Sequence, residues 1–174
     1  GSGEVYVSKA KPGISTTHQR EAGLKAEMAE NFPDVTVLET QFNDNDANKA
    51  ASQLQGVFAR TPDLKGVFGA NLFSALGAGT GVQQAGQTGN VKVVAFDAPG
   101  SIVDNLKTGL VDVAIAQHHA FGLAGRSRRV KDIKRVGRCH FNAICLLTSF
   151  AGSGGHRFVA ILGRLVANDI TSYR

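Results

Sequence analysis

Residues 64–79, LKGVFGANLFSALGAG, decide the fold. Leu64, Val67 and Phe68 form a short apolar run bounded upstream by the chain breaker TPD at 61–63, as a buried strand requires. Beyond Asn71 the small residues Ala75, Ala78 and Gly79, with Val82, recur at helical spacing, and they are small enough for a helix to lie close on a sheet. A buried strand therefore runs straight into a helix, with one asparagine between them. Asn71 carries both hydrogen-bond donors and acceptors, and its place at the junction needs an explanation.

The same unit recurs in both directions. Upstream, EVYVSKA (4–10) is a β-branched and aromatic run ended by KPG, and STTHQREAGLKAEMAENF (15–32) follows as a helix with Thr16-x-x-Gln19 as its expected capping box. DVTVLETQF (34–42) is a second strand and NDND (43–46) its turn. From Asp46 as N-cap, Ala47, Ala50, Ala51, Leu54, Val57 and Phe58 mark one helical face. Downstream, VKVVAFD (91–97) is a fourth strand. SIVDNLKTG (101–109) is a helix with Ser101-x-x-Asp104 as its cap and Gly109 as its stop, and LVDVAIAQ (110–117) is a fifth strand.

Strands alternating with helices give consecutive βαβ units, whose crossovers are right-handed and whose sheet is parallel with both faces covered. The expected fold is α/β, a single lobe with strand order 2-1-3-4-5. Ligands of such sheets sit outside the carboxyl ends of the strands. Strand three ends at Asn71, strand four at Asp97 and strand five at Gln117, so these polar groups share one edge. Asn71 and Gln117 donate and accept while an ionised Asp97 accepts, a mixture suited to neighbouring hydroxyls. Phe96 offers an apolar face to the C–H side of a sugar ring, and His18 and Asn45 lie in loops on the same edge. The plainer reading of each such residue is a cap for the following helix.

Charge divides the chain. Residues 1–125 hold 9 Lys and Arg against 12 Asp and Glu, a net of −3, whereas residues 126–174 hold 10 against 2, a net of +8. Lysine dominates the first part and arginine the second, and both cysteines, Cys139 and Cys145, lie in the second. No apolar run reaches the roughly 18 residues a membrane helix needs, and the N-terminus shows neither a basic n-region nor an apolar h-region, so no signal peptide is expected in this chain.

Several motifs carry less than they suggest. The glycines of GAGTG (77–81) lie inside a helix, not in the turn after a strand where a dinucleotide fingerprint must stand. Cys139 and Cys145 are separated by five residues, outside the usual spacing of zinc pairs, and His140 and His156 do not repair this. His118 and His119 lack an evident third ligand, and neither Ser74 nor Ser101 sits in a nucleophile motif. No enzyme, metal or cofactor is expected.

The segments STTHQREAG, QFNDND, ARTPDLKGVFGAN with ALGAG, GNVKVVAFDAPG and LKTGLVDVAIAQ, in that order, resemble the second lobe of the type I periplasmic sugar-binding proteins, the ribose-binding family of ABC importers. The resemblance runs from about Gly3 to Gln117. It implies a periplasmic, non-enzymatic protein that binds a monosaccharide or polyol between two closing lobes and delivers it to an importer permease. By position it implies His18, Asn45, Asn71, Asp97 and Gln117 as ligand contacts, with Arg20 in support. Ribose binders usually carry an arginine at the place of His18 and an aromatic at that of Asn45. A smaller or open-chain polyol is therefore admitted as ligand.

The alternative is the effector-binding core of a lac-repressor-type transcription regulator, which shares the fold and which an N-terminal helix-turn-helix would distinguish. Residues 1–118 are taken as the lobe. Residues 119–174 are taken as an atypical basic tail, read as an out-of-frame or degraded remainder, with ICLLTSF and FVAIL left to cover the exposed sheet edge or to associate between chains. The rival is a genuine extension in which RSRRVKDIKR (126–135) forms a cationic helix. No aromatic residues are interleaved with those charges, and neither nucleic-acid binding nor membrane insertion is expected.

Overall fold

The computed structural model describes residues 2–118 and 143–148. Strand β1 (Gly3–Lys9) leads through the KPG turn into α1 (Ser15–Asn31), followed by β2 (Val35–Val37), β3 (Gln41–Phe42) and α2 (Ala47–Arg60). Next come β4 (Leu64–Gly69), α3 (Leu72–Gln84), β5 (Lys92–Phe96), α4 (Gly100–Thr108), β6 (Val113–His118) and β7 (Ala143–Thr148). The sheet order is β2-β1-β4-β5-β6-β7, with β3 also on β1, and the pairings are parallel.

With β2 and β3 counted as one interrupted strand, this is the expected 2-1-3-4-5 order extended by one strand. The interruption spans Leu38–Thr40. Leu38 N–H still reaches the Val5 carbonyl at 2.8 Å, but the Thr40 hydroxyl turns to donate to Glu21 Oε1 at 2.6 Å, drawing the chain toward α1. The added strand, β7, runs along β6 from Val113 opposite Ala143 to His118 opposite Thr148, and so takes the sheet edge that ICLLTSF was expected to cover. FVAIL, RSRRVKDIKR, Cys139, His119, His140 and His156 lie outside the described residues.

Alternate strand residues face opposite layers, as a parallel sheet covered on both faces requires. Val5, Val7, Phe68, Val94, Phe96, Val113 and Ile115 pack with Leu24 and Met28 of α1. Tyr6, Val67, Val93, Ala95 and Ala114 pack on the other face with Leu54 and Val57 of α2, Ala75, Ala78 and Val82 of α3, and Ile102 and Leu106 of α4. The GAGTG glycines serve this packing. A Cβ on Gly77 would strike the Ala50 side chain and the Ala47 carbonyl, so glycine there lets α3 close on α2.

The helix ends separate good sequence signals from poor ones. Asp46 caps α2 as expected, its Oδ1 accepting from Asn48 N at 2.7 Å and Lys49 N at 3.1 Å. Gly109 ends α4 at φ 78°, again as expected. The two predicted N-terminal boxes do not form. Helix α1 begins at Ser15 with Ile14 as N-cap and α4 at Gly100 with Pro99 as N-cap, and neither residue supplies a side-chain cap. Each helix thus starts ahead of its hydroxyl residue, because Pro12-Gly13 and Pro99 turn the chain earlier than the polar pattern suggests.

Candidate functional site

Because every pairing is parallel, the carboxyl ends of the strands, and the helix starts that follow them, lie along one edge. Two groups of side chains gather there.

The first is built on Asn71. It occupies the N-cap position of α3 but makes no side-chain capping bond. Its amide Nδ2 donates to Asn45 Oδ1 at 2.8 Å, and its Oδ1 accepts from the Ser74 hydroxyl. The plain capping role therefore does not account for Asn71. Asn45 is exposed and holds φ 62°, next to Asp44 at φ 57°; asparagine and aspartate enter that region more readily than other non-glycine residues. The turn is pinned from below by Asn43, which is fully buried and whose Oδ1 accepts the Asn45 backbone N–H at 3.0 Å.

The second group joins α1 to β5. Arg20 donates from Nη1 to the Ala70 carbonyl at 2.7 Å, immediately before Asn71, and its guanidinium lies 3.5 Å from the centroid of the Phe96 ring. Burial lowers its pKa from the ordinary arginine value, and the charge of Asp97 works in the opposite direction. Asp97 itself holds φ 74°, its backbone N–H bonded to the Ile115 carbonyl at 2.9 Å. A non-glycine residue kept there by its surroundings is a local strain of the kind that gathers at binding sites. Phe96 is 7% exposed with the guanidinium on its ring, so it steadies Arg20 and does not offer the open face expected for a sugar.

His18 lies in the first turn of α1, exposed, and not in a loop. The backbone of Gln117 reaches the end of β6, opposite Leu147 of β7; its side chain lies outside the described residues. The sequence reading missed Asn43 and Ser74. Two local signals could have found them: Asn43 stands two residues before Asn45, the spacing of an Asx turn, and Ser74 stands three residues after Asn71, one turn along the helix.

Behind the edge lies a third cluster. Lys9, at the end of β1 and 4% exposed, pairs with Glu21 Oε2 at 2.5 Å, and Glu21 Oε1 accepts from Lys25 at 2.7 Å and from Thr40 at 2.6 Å. Burial alone would raise the Glu21 pKa. The bonds from Lys25, Lys9 and Thr40 outweigh it and hold the carboxyl at about 2. Among the described residues no three His, Cys, Asp or Glu side chains gather as a metal site, and no helix is long and apolar enough to cross a membrane.

Residues 1–120 match the periplasmic binding protein domain. The chain belongs to that family. It is 33% identical over 118 residues to the D-ribose/D-allose-binding protein of Pseudomonas aeruginosa, covering 64% of this chain and 36% of that protein. To the D-allose-binding periplasmic protein of Escherichia coli it is 29% identical, covering 68% and 38%. Among solved structures, an ABC transporter solute-binding protein from Agrobacterium vitis bound with alpha-D-tagatopyranose is 75% identical at a TM-score of 0.65, covering 67% of this chain and 39% of that one. A periplasmic solute-binding protein from Actinobacillus succinogenes with bound D-allose is 28% identical at a TM-score of 0.60, covering 64% and 38%. The chain thus spans little more than a third of the length of these family members.

Proposed function

We propose that residues 1–118 are the second lobe of the solute-binding component of an ABC-type sugar importer, a periplasmic carrier and not an enzyme. A monosaccharide or polyol is held at the carboxyl edge by His18, Asn45, Asn71, Asp97 and Gln117, with Arg20 and Phe96 as the support behind them. The observation that carries this is the Asn45–Asn71 pair. Its amides are bonded to each other at 2.8 Å yet keep N–H groups without a partner among the described residues, as hydroxyl recognition needs. The alpha-D-tagatopyranose of the 75% identical relative makes a hexose the first ligand to try.

In the complete carrier a second lobe closes over the ligand by hinge motion, and the permease reads the closed form. The lobe by itself then makes only part of the contacts, so its dissociation constants should be on the order of millimolar or weaker. An NMR titration of the 15N-labelled chain with D-tagatose, D-allose, D-arabinose and a pentitol tests the reading. Saturable shifts at Asn45, Asn71 and Asp97 are expected. Shifts at the opposite sheet edge, or none at about 100 mM sugar, would overturn it.

The proposed lobe boundary is supported by the family match, which ends at residue 120, and by the change from net −3 to net +8 beyond residue 125. We take residues 119–174 as an out-of-frame remainder, from which β7 pairs along β6. Translating the coding DNA past the Gln117 codon in the other two frames should reveal a proline-containing hinge, an amphipathic helix and a β-branched strand. If neither frame shows them, the tail is a genuine extension.

A further inference from the structure

The amides at the site are not free to choose their orientation. Asn43 accepts the Asn45 backbone N–H on Oδ1 at 3.0 Å, which fixes its amide with nitrogen pointing the other way. That nitrogen donates to Ser8 Oγ at 2.9 Å and to Ser74 Oγ at 2.6 Å. The Ser74 hydroxyl, accepting from Asn43 on one of its lone pairs, gives its hydrogen to Asn71 Oδ1. The Asn71 oxygen is thereby turned inward and its nitrogen outward, where it donates to Asn45 Oδ1 at 2.8 Å. The bonds form a one-way ring that leaves Asn45 through its backbone N–H and returns to it at its side-chain oxygen.

Asn43 and Ser74 are both wholly buried, and the ring ties the turn after β3 to the start of α3, in addition to the packing of α3 on α2. Such a network is set by donor and acceptor counts: one amide reversed alone would face nitrogen to nitrogen or oxygen to oxygen, and Asn71 and Asn45 reversed together would take the acceptor from the buried Ser74 hydrogen. What remains unspent among the described residues is one hydrogen on Asn71 Nδ2 and two on Asn45 Nδ2.

We propose that Asn43 and Ser74 are positioning residues that lock the Asn71 and Asn45 amides with their N–H groups outward, so that this wall of the site recognises ligand oxygens as acceptors. The consequence for a ligand rests on the sugar-binding reading; the locking of the amides does not. The matching acceptor role falls to Asp97 across the edge. Ser8 also bonds Asn43 but lies outside the ring, which makes it the comparison residue.

The test uses the full chain without ligand. In 15N relaxation, the Asn71 side-chain amide of the wild type should be nearly as rigid as ordered backbone, with an order parameter of about 0.8. Ser74→Ala should release it below about 0.6, while Ser8→Ala leaves it rigid although each variant removes one buried hydroxyl from Asn43. Should Ser74→Ala fail to fold, Asn43→Asp gives the second reading. It keeps the shape but turns the Ser74 hydrogen away from Asn71, and should release the same amide. An Asn71 amide mobile in the wild type, or equally rigid in the ring variants, would overturn the proposal.

With D-tagatose added, Ser74→Ala should bind about tenfold more weakly than the wild type and Ser8→Ala within about twofold. Equal losses in both would mean that the ring is ordinary packing. If the wild type binds no D-tagatose, the sugar-binding reading fails and the amide dynamics still judge the ring.

Discussion

Two polar clusters, one on the sheet edge and one behind it, use their groups in opposite ways. The Lys9–Glu21–Lys25–Thr40 cluster closes on itself: each Glu21 oxygen is taken, and Lys9, 4% exposed, also lies 5.5 Å from the Phe42 ring. The Asn43–Ser74–Asn71–Asn45 ring is equally ordered inside but ends in amide hydrogens without protein partners among the described residues. Burial and charge thus do not mark the site here. The strongest charges fasten α1 to β1, and the weaker, neutral amides are left with something to offer. A site for an uncharged polyol needs that division, because a buried ion can be spared for a ligand only at a high desolvation cost.

The comparison can be broken first at Glu21. If its cluster is scaffolding, Glu21→Ala strands the Lys9 charge in a buried place and should cost about 3–5 kcal/mol in chemical denaturation. A loss below about 1 kcal/mol would mean that the cluster is solvated and its closure illusory.

Acid gives a second, smaller effect of known sign. The Glu21 carboxyl sits at about 2 in the folded chain against an ordinary 4.5, so its contribution is complete above pH 4.5 and drains away as pH falls toward 2. Unfolding free energy should therefore drop across that window. In Glu21→Gln the drop should be visibly shallower; an unchanged slope would assign the acid sensitivity to other carboxylates.

The third effect sharpens the boundary of the ring. Asp46 caps α2 one residue after Asn45, and Asp46→Ala should cost about 1 kcal/mol while leaving the Asn71 amide rigid. If that amide were released as well, the ring would depend on the cap and not on Asn43.

Most of the described fold was legible because its signals are local. Apolar runs such as VKVVAF, the face from Ala47 to Phe58, the Asp46 cap and the Gly109 stop each report on their own neighbourhood. What escaped was tertiary. The break between β2 and β3 depends on Thr40 meeting a glutamate 19 positions away, and alternation at Val35 and Val37 carries no trace of it. The early starts of α1 and α4 were hidden because hydroxyl residues suggested caps where proline turns had already begun the helix. At the site the edge positions of Asn45, Asn71 and Asp97 followed from strand ends. The burial of Phe96 under Arg20 and the link from Asn43 to Ser74, 31 positions apart, needed the folded chain.

The central claim is that the open end of the amide ring serves a ligand and not the fold. Asn45→Gly tests it most directly, since glycine accepts φ 62° without strain and keeps the backbone N–H that Asn43 holds, removing only the amide. Titrated with D-tagatose and unfolded in denaturant beside the wild type, the variant should bind about tenfold more weakly and keep its stability within about 0.5 kcal/mol. Unchanged affinity, or a stability loss of about 2 kcal/mol or more, would show that Asn45 belongs to the scaffold and that the ring, like the Glu21 cluster, is closed.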